Sequence, residues 1–201
     1  MTFFNLSSAP SLRRSSVDSN NIWPAQSSIK GENQTVFSRT GFRGVGAEGF
    51  LISHGLTVPS EPNQSILFNN SLVILRLSKT EFWLVCTDSS QHEFVETLEL
   101  ASQEISDVYR LFCQHSHACF AFKGEQTATM FSKVCGVDLS HEGFPIGGVA
   151  QTSVARVNAI VTRQYLKGEA SKEEECFIVL SDLASAPYLW SALADAANEF
   201  S

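Results

Sequence analysis

A chain of 201 residues, 43% hydrophobic and 17% charged, can bury a sizeable core and fits one domain of two lobes. Its net charge is -7, and no basic cluster exceeds the pair Arg13–Arg14. That excludes a nucleic-acid partner, because phosphate binding needs concentrated positive charge. No apolar run is long enough to span a membrane, and MTFFNLSSAPSLRR places its charge after its apolar patch, the reverse of a signal peptide.

The five cysteines, Cys86, Cys113, Cys119, Cys135 and Cys176, are odd in number, form no CxxC and sit mostly in apolar runs. They read as reduced, buried thiols of a cytoplasmic protein. The low charged fraction suits either a large core under a Ser/Asn-rich surface or a subunit that hides area against a partner.

Residues 1–35 are rich in Ser, Asn and Gln and read as a mobile or partner-ordered arm, with Ile22-Trp23-Pro24 as a short anchor. The body then starts near Thr35. Val36–Phe42 reads as a strand, and Ala47, Phe50, Leu51 and His54 form a helical stripe closed by Gly55. The loop 57–63 carries two prolines. Ile66–Phe68, Leu72–Leu77 and Phe82–Thr87 read as strands, with a turn at Ser78–Glu81. Ser90-Gln91-His92-Glu93 has the form of a capping box before a helix carrying Phe94, Leu98, Ala101 and Ile105.

The same order then returns. His117–Phe122 is a strand, and Thr127, Met130, Phe131 and Val134 form a stripe ending at Gly136. A Gly/Pro loop, His141–Gly148, leads to one long strand, Gln151–Arg163. Lys167–Glu175 is a turn, Cys176–Leu180 a strand, and Ser185 with Pro187 opens a last helix. Phe42 and Phe122 stand 80 residues apart, as do Gly44 and Gly124. The expected fold is therefore α+β: a duplicated strand-helix-hairpin-helix unit, with repeats at 36–106 and 107–201 of a 36–201 body.

No catalytic, cofactor-binding or metal motif stands out. His54, on the apolar stripe, reads as a packing residue. Cys113, His115 and His117 share a face if extended, but two histidines and a thiol are a weak basis for zinc, and no metal is expected. The glycines of GFRGVG at 41–46 do not have dinucleotide-loop spacing, and HEGFPIGG at 141–148 reads as a shaped connection. Cys135 lies at a helix C-terminus, where the dipole disfavours a thiolate. Three residues remain as candidate ligand or partner contacts. Asp138 braces its loop or meets a ligand. Arg156, read on a strand, needs an anionic partner: Asp138, a ligand or a neighbouring chain. Trp190, on the last helix near Tyr188 and Phe200, covers the sheet or marks an interface.

CGVDL at 135–139, FPIGG at 144–148, AQTSVARV at 150–157 and YLWSALADAANEF at 188–200 are similar to the gamma subunit of heterotetrameric sarcosine oxidase. GVGAEGFLISHGLTVPSEPN and LRLSKTEFWLV resemble that family's first half, so the resemblance spans roughly 36–200. Ser181–Pro187 stands where the family usually carries an Arg-Ser-Phe-Ala segment. The resemblance implies a fold related to the folate-binding domain of the glycine-cleavage T-protein. It also implies a non-catalytic structural subunit of a complex that oxidatively demethylates sarcosine, or a related N-methyl amine, passing the one-carbon unit to tetrahydrofolate. FAD, FMN, NAD and tetrahydrofolate would belong to the larger flavoprotein subunits, the implied partners. The alternative is a stand-alone folate-binding or aminomethyltransferase-like protein.

Overall fold

The computed structural model describes residues 12–17, 23–167 and 173–200. The strands are β1 (Lys30–Asn33), β2 (Arg39–Arg43), β3 (Gln64–Phe68), β4 (Leu72–Ser78), β5 (Glu81–Cys86), β6 (Tyr109–Leu111), β7 (His117–Lys123), β8 (Val149–Val154), β9 (Val157–Lys167) and β10 (Glu173–Asp182). The helices are α1 (Ala47–Ser53), α2 (His92–Ala101), α3 (Cys113–Ser116), α4 (Thr127–Ser132) and α5 (Ala186–Ala197). Two antiparallel sheets form, in the orders β3-β4-β5-β2-β6 and β1-β7-β10-β9-β8.

The layers follow from side-chain alternation along β4 and β10. Val73, Leu75 and Leu77 of β4 meet Cys176, Ile178 and Leu180 of β10 between the sheets. Leu72 and Ile74 face α1 and α2, packing with Phe50, Leu51 and Leu98. Phe177 and Val179 face α4 and α5, packing with Phe131, Leu189 and Leu193. The result is helix, sheet, sheet, helix. Both sheets are covered on both faces, which is why their central strands are almost continuously apolar. Each fully buried Leu or Phe contributes roughly 1.5–3 kcal/mol.

The duplication carries a strand exchange. β1 precedes β2 in the chain but pairs with β7, while β6 precedes β7 but pairs with β2. Each copy's leading strand therefore completes the other copy's sheet. The crossing point shows the same symmetry: Arg39 N donates to Gln114 Oε1 at 3.0 Å, and Cys119 N donates to Thr35 Oγ1 at 3.1 Å. Gly44 and Gly124 hold φ +137° and +130° under these exchanged strands. A Cβ there would lie 2.0 Å from Asp107 O and 2.6 Å from Ser28 O respectively, so only glycine fits.

The body thus begins before Thr35, since β1 and the fully buried Ile29 belong to it. Trp23 is the anchor, its ring 5.2 Å from Phe122 and 5.1 Å from Trp190, with Nε1 donating to Ile29 O at 2.6 Å. Ile22, residues 1–11 and the middle of the 167–175 turn lie outside the described residues. The lobes interleave rather than divide at 106/107, because β6 completes the first sheet.

Two local expectations are corrected. The stretch 151–163 is not one strand but the hairpin β8–β9, turned by Ala155 and Arg156 at φ +47° and +67°. Its counterpart between β3 and β4 is turned by Asn69 and Asn70, at +48° and +61°. Asparagine tolerates this conformation and signals such a turn, whereas Ala-Arg gives no sign of it. The capping box also does not form. Gln91 caps α2 without a side-chain bond, and Ser90 Oγ instead meets Ser71 Oγ at 2.8 Å. No helix among the described residues is long and apolar enough to cross a membrane.

Candidate functional site

The three predicted contact residues do not come together. Asp138 is exposed, and its carboxylate accepts from Ser140 N at 2.9 Å. The Ser140 backbone N–H, then its hydroxyl, holds that carboxyl below the usual range. Asp138 thus braces its loop. Arg156 is exposed at the hairpin turn and, among the described residues, has no ion-pair partner. Trp190 is buried in the core, 5.0 Å from the Phe120 ring.

Cys113 and His115 lie in the short helix α3, not on a strand, so they share no face with His117. Cys113 is buried, His115 exposed, and the His117 ring packs edge-on against Trp83 at 4.7 Å. No group of three or more His, Cys, Asp or Glu able to hold a metal occurs among the described residues. His54 packs on Phe50 at 4.5 Å and donates from Nδ1 to Phe50 O at 2.8 Å. All five thiols are free and buried, and burial pushes Cys86, Cys113 and Cys176 up to about 12.

The argument that a strand arginine needs an anion applies to Arg76 and Arg163 instead. These are equivalent positions of β4 and β9, each opposite a phenylalanine of the next strand, Phe82 and Phe177. Arg76 makes a two-pronged contact with Glu48 at 3.0 Å and donates to Pro59 O and Ser60 O. Arg163 sits 3.0 Å from Glu175, contacts His141, and donates to Phe144 O at 2.6 Å. Each guanidinium thereby fastens its copy's proline loop to the sheet. The signal was an Arg inside an apolar run, as in LVILRLS.

A cleft of about 480 Å³ lies between α2, β6 and α3 and is reached by Arg13 from the arm. Its residues are distant in the chain, and of them the sequence reading weighed only His115 as a candidate ligand. Arg13 Nη1 donates to Ser38 Oγ at 3.0 Å, and that Oγ lies 2.6 Å from His92 Nδ1. A guanidinium can only donate, so the Ser38 hydroxyl is free to donate to the ring, which leaves Nε2–H toward Glu96, 3.7 Å away. Ser38 is only 3% exposed and its Oγ is engaged by both Arg13 and His92, so this row orders the wall rather than presenting a nucleophile. Across the cleft Arg110 pairs with Glu99 at 2.6 Å. Arg39 closes the floor, giving Nε and Nη2 to His117 O and Nη1 to Thr35 O and Phe37 O.

No curated protein matches the chain. Among solved structures, a chain of the heterotetrameric sarcosine oxidase from Corynebacterium sp. U-96, in complex with pyrrole 2-carboxylate, shares the fold. Its TM-score is 0.69 at 18% identity, covering 90% of this chain and 89% of that one. Clostridium acetobutylicum aspartate kinase, at TM-score 0.31 and 14% identity over 85% of this chain and 34% of that one, carries no weight. The GCVT N-terminal domain family matches residues 63–201, more than half the sequence, and with the duplicated α+β architecture this places the protein: the chain belongs to the GCVT N-terminal domain family.

Proposed function

We propose that this chain is a structural, non-catalytic subunit of an oxidase complex resembling heterotetrameric sarcosine oxidase. In this reading the complex demethylates sarcosine or a related N-methyl amine and delivers the one-carbon unit to tetrahydrofolate. FAD, FMN, NAD and tetrahydrofolate are held by larger flavoprotein subunits. The observation that carries the reading is the extent of the correspondence: 90% of this chain superposes on 89% of one chain of such an oxidase. The likeness thus covers most of both chains. The buried, internally satisfied row Ser38–His92 and the engaged carboxylates of the cleft support a role without its own chemistry. Purification of the tagged chain from its host should bring down larger flavin-containing chains. Recovery of the chain alone, under conditions that keep other host complexes intact, would overturn the reading.

The second reading, a stand-alone folate-binding or aminomethyltransferase-like protein, draws on the family match and on two carboxylates in the cleft, Glu96 and Glu99. Glu99 is committed to Arg110 and Glu96 faces His92, which favours the first reading. Titrating the isolated chain with a tetrahydrofolate derivative decides between them. Stoichiometric binding near micromolar, about -8 kcal/mol, supports the stand-alone protein.

A further inference from the structure

The two exchanged strands meet solvent with opposite chemistry. β1 ends one sheet and β6 ends the other. The registers Gly31↔Phe122 and Arg110↔Phe42 put Gly31 and Arg110 at equivalent places. Tyr109 therefore stands where the other copy has Lys30, Leu111 where it has Glu32, and Phe112 where it has Asn33. Val45, after Gly44, stands where Glu125 follows Gly124. β1 is thus a charged edge, with Glu32 paired to Lys123 at 3.1 Å, and such an edge resists pairing with another chain. β6 has no such guard: Tyr109 is 64% exposed, Phe112 60% and Val45 81%. Tyr109 and Val45 are neighbours, since a Cβ on Gly44 would lie 3.3 Å from the Tyr109 ring. At the opposite ends of the sheets β3 and β8 are joined, Ser65 N donating to Gly147 O at 2.7 Å and Val149 N to Asn63 O at 2.9 Å. That leaves β6 as the open apolar edge among the described residues.

We propose that β6 is the docking edge for an extended segment of a larger partner chain, a segment carrying apolar and basic side chains. The proposal rests on the subunit reading above. Along an edge strand, alternate residues turn their N–H and C=O away from the sheet, ready to receive an added strand. The Phe112 ring is fixed in advance: the Arg110 guanidinium lies 4.7 Å from its centre and is itself held by Glu99 at 2.6 Å. A ring already held loses little freedom on binding. The charge left over at this edge is negative. Arg110 is engaged by Glu99, and Arg43, opposite Tyr109, by Glu81 at 2.6 Å. Glu104 and Asp107 are exposed and have no ion-pair partner among the described residues. A Lys or Arg of another chain meets them favourably, whereas a second copy brings the same acids and the same net charge of -7. The charge thus selects a different chain over a second copy.

Hydrogen exchange on the complex purified through the tagged full chain, compared with the isolated chain, reads the edge directly. The amides of residues 109–112 should gain protection at least roughly tenfold in the complex, and those of β1 should not change. Tyr109→Lys combined with Phe112→Lys, both at exposed positions, should cut recovery of the larger chains at least roughly tenfold, while the urea midpoint of the isolated variant stays near the native one. Lys30→Glu, on the counterpart edge, should leave recovery unchanged. Glu104→Gln combined with Asp107→Asn should weaken recovery about threefold and flatten its dependence on sodium chloride. Asparagine accepts the φ of +66° at Asp107, so this pair changes charge and not conformation. Equal recovery by the double-lysine variant, or unchanged exchange at 109–112 in a complex that does form, would overturn the edge alone. A dimer of the isolated chain that the double-lysine variant abolishes would give the edge to a second copy, and protection already complete in the isolated chain would give it to the chain's own residues; either overturns the assignment. Recovery of the native chain alone would overturn the subunit reading and this edge with it.

Discussion

In the first lobe the acid opposite the buried strand arginine comes from helix α1: Glu48 faces Arg76, and its side chain is 43% exposed. In the second lobe α1's counterpart α4 carries no acid, and the partner comes from β10: Glu175 faces Arg163 at 23% exposure, with Arg163 at 1%. The two copies keep the arginine, the phenylalanine beneath it and the proline loop it fastens, yet they replace the acid. Duplication therefore preserves the demand for charge compensation, while the residue that meets it is free to move. The same holds at the hairpins, where Asn69-Asn70 and Ala155-Arg156 adopt one turn with different chemistry.

The largest expected effect probes what the copies share. Gly44→Ala, driving a Cβ to 2.0 Å from Asp107 O at positive φ, should cost about 4 kcal/mol; Gly124→Ala, at 2.6 Å from Ser28 O, about 3 kcal/mol. Urea unfolding measures both, and a near-neutral Gly124→Ala would break the structural equivalence of the two turns.

The next effect probes where they differ. Glu175→Ala leaves a fully buried guanidinium uncompensated and should cost about 2–3 kcal/mol. Glu48→Ala, at a wetter pair, should cost about 1 kcal/mol. Equal losses would show that burial does not separate the two pairs.

A smaller effect is pH-dependent. Burial depresses the His117 imidazole below its ordinary value of 6.5; Asp182 offsets this in part and Arg39 adds to it. The folded state therefore prefers the neutral ring. The stability this carries is full above the unfolded value and is lost as pH falls through it toward the lower folded value. His117→Gln should flatten the decline in urea midpoint between about pH 7 and pH 5 relative to the native chain. An unchanged slope would remove His117 as its source.

The smallest effect targets the turn that hides itself. Replacing Ala155-Arg156 by Asn-Gly suits φ of +47° and +67° and should raise stability by roughly 0.5–1 kcal/mol. The same exchange at Asn69-Asn70 should gain less, because asparagine already accepts the conformation.

Much of the fold is legible because local burial writes a local pattern. The stripes Ala47, Phe50, Leu51 and Thr127, Met130, Phe131 are buried as the spacing requires, and Leu189, Trp190 and Leu193 line α5. The exchange of β1 and β6 is not legible, since strand pairing is a long-range choice that leaves the periodicity of each strand unchanged. Trp23 was visible as an anchor in a polar arm, but the strand at Lys30–Asn33 was hidden by its polar composition, KGEN. Arg76 and Arg163 were readable in principle, because a charge inside an apolar strand must find a partner. The cleft was not: Arg13, Ser38, His92 and Arg110 converge only after folding, and none lies in a catalytic or ligand-binding motif.

Native mass spectrometry of the tagged chain, purified from its own host without crosslinking, tests the central claim most directly. The subunit reading predicts an assembly several times heavier than this chain, which on activation releases this chain and larger, flavin-bearing ones. A spectrum dominated by the lone chain, with no flavoprotein bound, would contradict it.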